Sequence, residues 1–188
     1  MKRLTAREIV ERAGLDAGDL VGRLTSAAGQ EFATFYHYTI MEAACSTGAV
    51  DQRLSGIIAD MRAEERRHFE TLVERIYELD GYMPADIHVL MDLAGRPEAP
   101  NVDDESDLIT ALLDTERRAV DTYADLCALT EGKDHRTYRL VLALHAEEGE
   151  HEAWVREFLG EEGRARIHRG FRGRSPHVSR YRSPGSTE

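Results

Sequence analysis

The sequence predicts an all-α fold, a bundle of four long helices with a long crossover between the second and the third. Three observations predict it. Only five prolines fall among 188 residues, and three of them sit in one stretch. Elsewhere the apolar residues recur at spacings of three and four, the helical period. Glycine-marked breaks divide the first 160 residues into segments of roughly 25 to 29, joined short, long, short. Those lengths describe an antiparallel pair, a crossover and a second antiparallel pair.

A short opening helix precedes the bundle. Thr5 and Glu8 form a capping box, and Gly14 stands where a C-terminal cap belongs. The first long helix is expected from about Asp19 to Thr47, carrying Leu20, Leu24, Ala27, Ala28, Phe35, Tyr38, Met41 and Cys45, with Gly48 at its end. The second runs from near Asp51 through Leu54, Ile58, Met61, Phe69, Leu72 and Ile76 to Leu79, and Asp80-Gly81 closes it. Residues 81 to 104 hold three prolines and two glycines, with a turn or two of helix expected over Ala85 to Leu93. The third helix spans about Glu105 to Thr130, ended by Gly132, and the fourth about Asp134 to Leu159, ended by Gly160. The domain reading is therefore a helical segment over 1–18, a four-helix unit over 19–160 and a flexible Arg-rich tail over 161–188. Acidic coiled coils and cytokine-like bundles share this helix count, so topology alone does not decide function.

The two halves of the bundle repeat one another in their polar residues. Glu31 is followed seven residues later by Tyr38, and 27 after that by Glu65 of a Glu65-x-x-His68 element. Glu116 is followed seven later by Tyr123, and 25 after that by Glu148 of Glu148-x-x-His151. A further glutamate, Glu64 or Glu147, precedes each element. On a helix, i and i+3 share a face, so each Glu–His pair can reach one metal ion or two adjacent ones. Together with one glutamate from each remaining helix they supply four carboxylates and two imidazoles, the donor set of di-iron and di-manganese bundles. Hard oxygens with two nitrogens suit iron or manganese. Without metal, four like charges buried together would be costly.

The candidate metal ligands are thus Glu31, Glu65, His68, Glu116, Glu148 and His151. Tyr38 and Tyr123 read either as core aromatics or as hydroxyl donors to a carboxylate on a neighbouring helix. His145 shares a face with Glu148 and His151, and either bonds to a ligand or is simply packed. Gly149 weakens the last helix and is a candidate for close packing. His37, His88 and His135 have no partner visible in sequence. Cys45 and Cys127 fall toward opposite ends of antiparallel helices, so buried free thiols are expected rather than a disulfide.

The formal net charge of −11 divides unevenly. Residues 1–163 carry −17, whereas 164–188 carry seven arginines against Glu188 alone, a net of +6. An acidic body attracts cations, and an Arg-rich tail can bind phosphates non-specifically. Its other roles would be assembly or solubility. No apolar stretch approaches 18 residues, which excludes a membrane span. The charged N-terminus does not read as a signal peptide and two cysteines make no disulfide framework, so a cytoplasmic location is expected.

The paired Glu-Glu-x-x-His motifs resemble bacterioferritin and its relatives in the ferritin-like superfamily. The stretches HFETLVERIYELDGYMPADIHVLMDLAG and GKDHRTYRLVLALHAEEGEHEAWVREFL are more similar still to the bacterioferritin-like Dps-like proteins, or thioferritins. The likeness covers about Phe32 to Leu159. It implies that the six candidates bind a di-iron centre that oxidises Fe(II), preferably with hydrogen peroxide. It also implies a hollow shell of 12 subunits that stores ferric mineral and protects DNA. One departure is that the family's first paired cysteine would fall at Arg96, so thiol-dependent features are not carried over. No haem is expected, because Met61 does not match the haem-binding methionine of bacterioferritins. A di-manganese peroxide dismutase and a non-catalytic DNA-binding or structural helical protein are the alternatives.

Overall fold

The computed structural model describes residues 4–45 and 51–160, apart from the side chains of Gln52 and Arg53. The expected helix end at Gly48 and the Arg-rich tail lie outside the described residues. Among the described residues six helices follow in order: α1 (Ala6–Arg12), α2 (Ala17–Cys45), α3 (Gln52–Glu78), α4 (Ile87–Leu93), α5 (Glu105–Thr130) and α6 (His135–Phe158). The four long ones form the predicted bundle, and residues between α3 and α5 make the crossover, with α4 as its one helical piece.

Side-chain chemistry explains the helix limits. Thr5 and Glu8 form both bonds of the capping box on α1. Helix α2 starts two residues earlier than expected, because the Asp16 carboxylate accepts from the backbone N–H of Gly18 and Asp19 at 2.7 and 3.0 Å. Asp104 and Asp134 cap α5 and α6 in the same way.

The packing pairs α2 with α3 and α5 with α6, and α4 lies across α2. Gly29 allows that crossing: a Cβ there would stand 2.9 Å from the Ala94 Cβ and 3.0 Å from the Leu90 carbonyl oxygen. Ser26 fastens the same contact by donating to the Leu93 carbonyl at 2.8 Å.

Two apolar clusters fill the bundle. One gathers Leu20 and Leu24 with Leu72, Ile76, Leu126 and Leu144. The other gathers Met41 and Cys45 with Leu54, Ile58, Leu108 and Leu112. The start of α2 therefore meets the end of α5, and the starts of α3 and α5 meet, which is the handover a long crossover produces. Cys45 belongs to the second cluster, whereas Cys127 packs on the first. Both thiols are free. The expectation of two buried thiols needs one correction: Cys127 sits at the rim of its cluster and is only partly covered. Neither cluster includes the buried glutamates and histidines of the four long helices, and these make the site.

Candidate metal centre

Each long helix contributes acid to that buried layer. The periodicity that puts Leu24, Tyr38 and Met41 inside also turns Glu31 inward, and α5 does the same with Glu116 between Leu112 and Tyr123. Helices α3 and α6 bring their Glu–His elements from the other side. Glu31, Glu65, His68, Glu116, Glu148 and His151 are all at most 4% exposed.

The donor atoms fall into two groups that share members. Glu31, Glu65, His68 and Glu148 each offer an atom within 4.8 Å of one another, and so do Glu65, Glu116, Glu148 and His151. The structure thus brings the six sequence candidates together, with Glu65 and Glu148 common to both groups. Nδ1 of His68 lies 2.8 Å from Glu148, 3.2 Å from Glu65 and 3.6 Å from Glu31. Nδ1 of His151 lies 3.1 Å from both Glu65 and Glu116 and 3.3 Å from Glu148. The two rings are stacked with centroids 5.9 Å apart.

Around this core the tyrosines cross between the halves. Tyr38 on α2 donates to Oε1 of Glu116 on α5, and Tyr123 on α5 donates to Oε1 of Glu31 on α2. Both hydroxyls are fully buried and are held protonated, first by burial and then by the surrounding carboxylates. The imidazoles are backed in a matching exchange. Glu147 on α6 meets Nε2 of His68 at 2.9 Å, and Glu64 on α3 meets Nε2 of His151 at 3.0 Å. Sequence reasoning noticed Glu64 and Glu147 without giving them a task. Their repetition before both Glu-x-x-His elements was the available signal. Glu64, His68 and Glu147 also form a third close group of donors.

Electrostatics show how unfavourable this layer is when it holds protons alone. Burial, Glu148 and Glu31 push the Glu65 carboxyl well above its usual range. Glu116 rises to about 7, mainly through burial against the opposing pull of His151. Burial would lower both imidazoles, but the encircling carboxylates overcome it and hold them protonated. Burial would likewise raise Glu148, and the two imidazoles outweigh it and keep that group ionised. Even so, both oxygens of Glu65, Oε1 of Glu148 and Nδ1 of His68 make no hydrogen bond. Carboxylate oxygens that converge on shared points without a well-aligned hydrogen bond are what a cation would satisfy, in place of the protons on the imidazoles. The cluster is a site for two metal ions, and four carboxylates neutralise two divalent charges.

His145, by contrast, is partly exposed and takes no part in the cluster. Gly149 is not a close-packing device, since a Cβ there would meet nothing within 4 Å. It faces outward because His151 and Glu148 claim the inner face.

The ferritin-like domain family matches residues 22–165, which include all four bundle helices except the first five residues of α2. The chain belongs to the ferritin-like family. Among its relatives is the DNA protection during starvation protein of Pyrococcus furiosus, 44% identical over 93% of this chain and 95% of that protein. Among solved structures, it is similar to a dodecameric thioferritin, the bacterioferritin-related protein of Bacteroides fragilis. The TM-score is 0.74 and the identity 27%, covering 81% of this chain and 90% of that one. This ferritin-like chain keeps the bundle and the buried Glu/His cluster while its two cysteines stay unpaired. None of its helices, among the described residues, is long and apolar enough to cross a membrane.

Proposed function

We propose that the protein is a ferroxidase whose two Fe(II) substrates bind at Glu31, Glu65, His68, Glu116, Glu148 and His151, with hydrogen peroxide as the preferred oxidant. The observation that carries this reading is the sharing of Glu65 and Glu148 between two donor groups, each completed by one glutamate and one histidine. Two Fe(II), one hydrogen peroxide and two protons yield two Fe(III) and two water molecules, so each iron gives up one electron. In this scheme Glu65 and Glu148 face both ions, while Glu31 with His68 and Glu116 with His151 each serve one. Tyr38 and Tyr123 would restrain the two outer carboxylates by donating to one oxygen of each, leaving the other free. Glu64 and Glu147, by accepting a hydrogen bond from Nε2–H, would keep the proton on Nε2 and present Nδ1 of each imidazole as a lone pair.

The rest of the reading is a hollow cage of 12 subunits that stores ferric mineral and protects DNA. The protective name of the Pyrococcus furiosus relative and the dodecameric state of the Bacteroides fragilis protein support it. The working unit is the segment 19–160, and a cytoplasmic setting agrees with two free thiols. Non-specific DNA contact through the arginines of 164–188 completes it.

The test is Fe(II) added without oxygen and followed by peroxide. A rise in ferric absorbance that disappears on replacing Glu65 and Glu148 with Ala supports the ferroxidase. Oxygen evolution by manganese-loaded protein, with no iron oxidised, would replace it with peroxide dismutation at a di-manganese centre.

A further inference from the structure

Five of the six candidate ligands are 0–1% exposed, and Glu31 is the exception at 4%. The reason is a gap between α2 and α5. There the crossover segment from Ala94 to Asn101 roofs two neighbouring cavities of 310 and 150 Å³. The larger reaches down to Tyr38, whose hydroxyl holds Glu116, and the smaller reaches Glu31 itself. Both are lined by Thr34, His37, Glu98, Thr115 and Arg118, so these residues stand where the two cavities adjoin.

The lining has a sign and a chemistry. Glu98, Asp107 and Asp114 line the larger cavity with only Arg118 opposing them. His37 is half buried, which lowers its proton affinity and leaves a neutral nitrogen at neutral pH. Its ring stands beside that of Tyr36, with centroids 6.0 Å apart, and no hydrogen bond or ion pair fixes it among the described residues. Carboxylates at an outer chamber, a neutral imidazole and hydroxyls at the junction, and Glu31 at the floor make a gradient of oxygen and nitrogen donors leading inward. The large cavity between α3 and α6, lined by Arg75, Arg136 and Arg139, touches none of the six ligands.

We propose that the α2–α5 seam beneath the crossover is the path by which divalent cations reach the buried site, with His37 and Glu98 lining its junction. The path rests on the metal-binding reading above, but it makes a separate claim, about the rate of loading rather than about what is bound. Field focusing in a cleft of one sign raises the local concentration of the opposite ion, and salt weakens the effect.

The test is stopped-flow loading of the metal-free full-length protein with Co(II), which gives an absorption signal and does not turn over with peroxide. Glu98 is exposed, so Glu98→Lys should leave the fold intact. It should slow loading about tenfold at low ionic strength, and the gap should narrow as salt rises. Thr34→Phe, which fills the junction, should slow loading at all salt concentrations. His37→Leu should slow it without changing the final Co(II) content. Wild-type loading rates in both Glu98→Lys and Thr34→Phe would overturn the proposal and move the path elsewhere. A parent protein that takes up no Co(II) would instead overturn the metal-site reading, and the path with it.

Discussion

Glu64 of α3 holds Nε2 of His151 of α6 at 3.0 Å, and the sequence repeat returns the arrangement with Glu147 and His68 at 2.9 Å. Each histidine is therefore aimed by a carboxylate from the opposite half of the chain. That carboxylate fixes which nitrogen keeps the proton, so Nδ1 points at the glutamates.

Removing either backing carboxylate should loosen the metal without emptying the site. Glu64→Gln or Glu147→Gln is expected to weaken Co(II) affinity by about 10- to 100-fold. Isothermal titration against a competing chelator measures it. An unchanged affinity in both variants would assign the two glutamates to folding alone.

The crossed tyrosines make a different prediction. Tyr38→Phe leaves Oε1 of Glu116 without its donor in a fully buried layer, and Tyr123→Phe does the same to Glu31. Each should cost the metal-free protein about 1–3 kcal/mol. Because both acts fall on the same layer, the double variant should depart from additivity. Chemical unfolding of the metal-free single and double variants tests this.

Much of this centre was legible from spacing. The repeat of Glu31 and Tyr38 in Glu116 and Tyr123, followed each time by Glu-x-x-His, places six donors at corresponding depths in four helices. What spacing could not supply was who faces whom. That Tyr38 donates to Glu116 rather than to its own helix depends on how α2 and α5 pack, and packing is a property of the whole bundle. Local chemistry was also underread at Asp16, whose carboxylate begins α2 two residues early. Gly149 was misread for the opposite reason: a glycine inside a helix suggests a close neighbour, but the burial of His151 turns position 149 outward.

That outward position yields a stability prediction. A methyl group at 149 meets nothing within 4 Å, so Gly149→Ala should gain helix propensity of about 1 kcal/mol with no clash. The thermal midpoint should rise by about 2–4 °C. A fall would mean that another surface packs against this face.

Away from the centre, Arg75 on α3 ties down the start of α6. It donates to Asp134 at 2.7 Å, to Thr137 at 2.8 Å and to Glu78 at 2.9 Å, and it is 3% exposed. Burial opposes ionisation of Asp134, but Thr137 and Arg75 outweigh it and lower its proton affinity. A group with a depressed folded-state value stabilises above its unfolded value, about 3.9 for Asp, and loses that contribution as pH falls through the folded value. Asp134→Asn should therefore cost about 3 kcal/mol near neutral pH. The deficit should shrink as the pH is taken below about 4. Urea unfolding of both proteins across that range decides it, and a pH-independent deficit would show that the charge is not what matters.

One buried layer should hold two metal ions between two shared glutamates, Glu65 and Glu148. Anomalous diffraction from crystals loaded with Fe(II) under anaerobic conditions tests it most directly. The expected result is two peaks per chain, one beside Glu31 and His68, the other beside Glu116 and His151, with Glu65 and Glu148 touching both. A single peak, or peaks confined to the acidic surface with the buried layer empty, would contradict it.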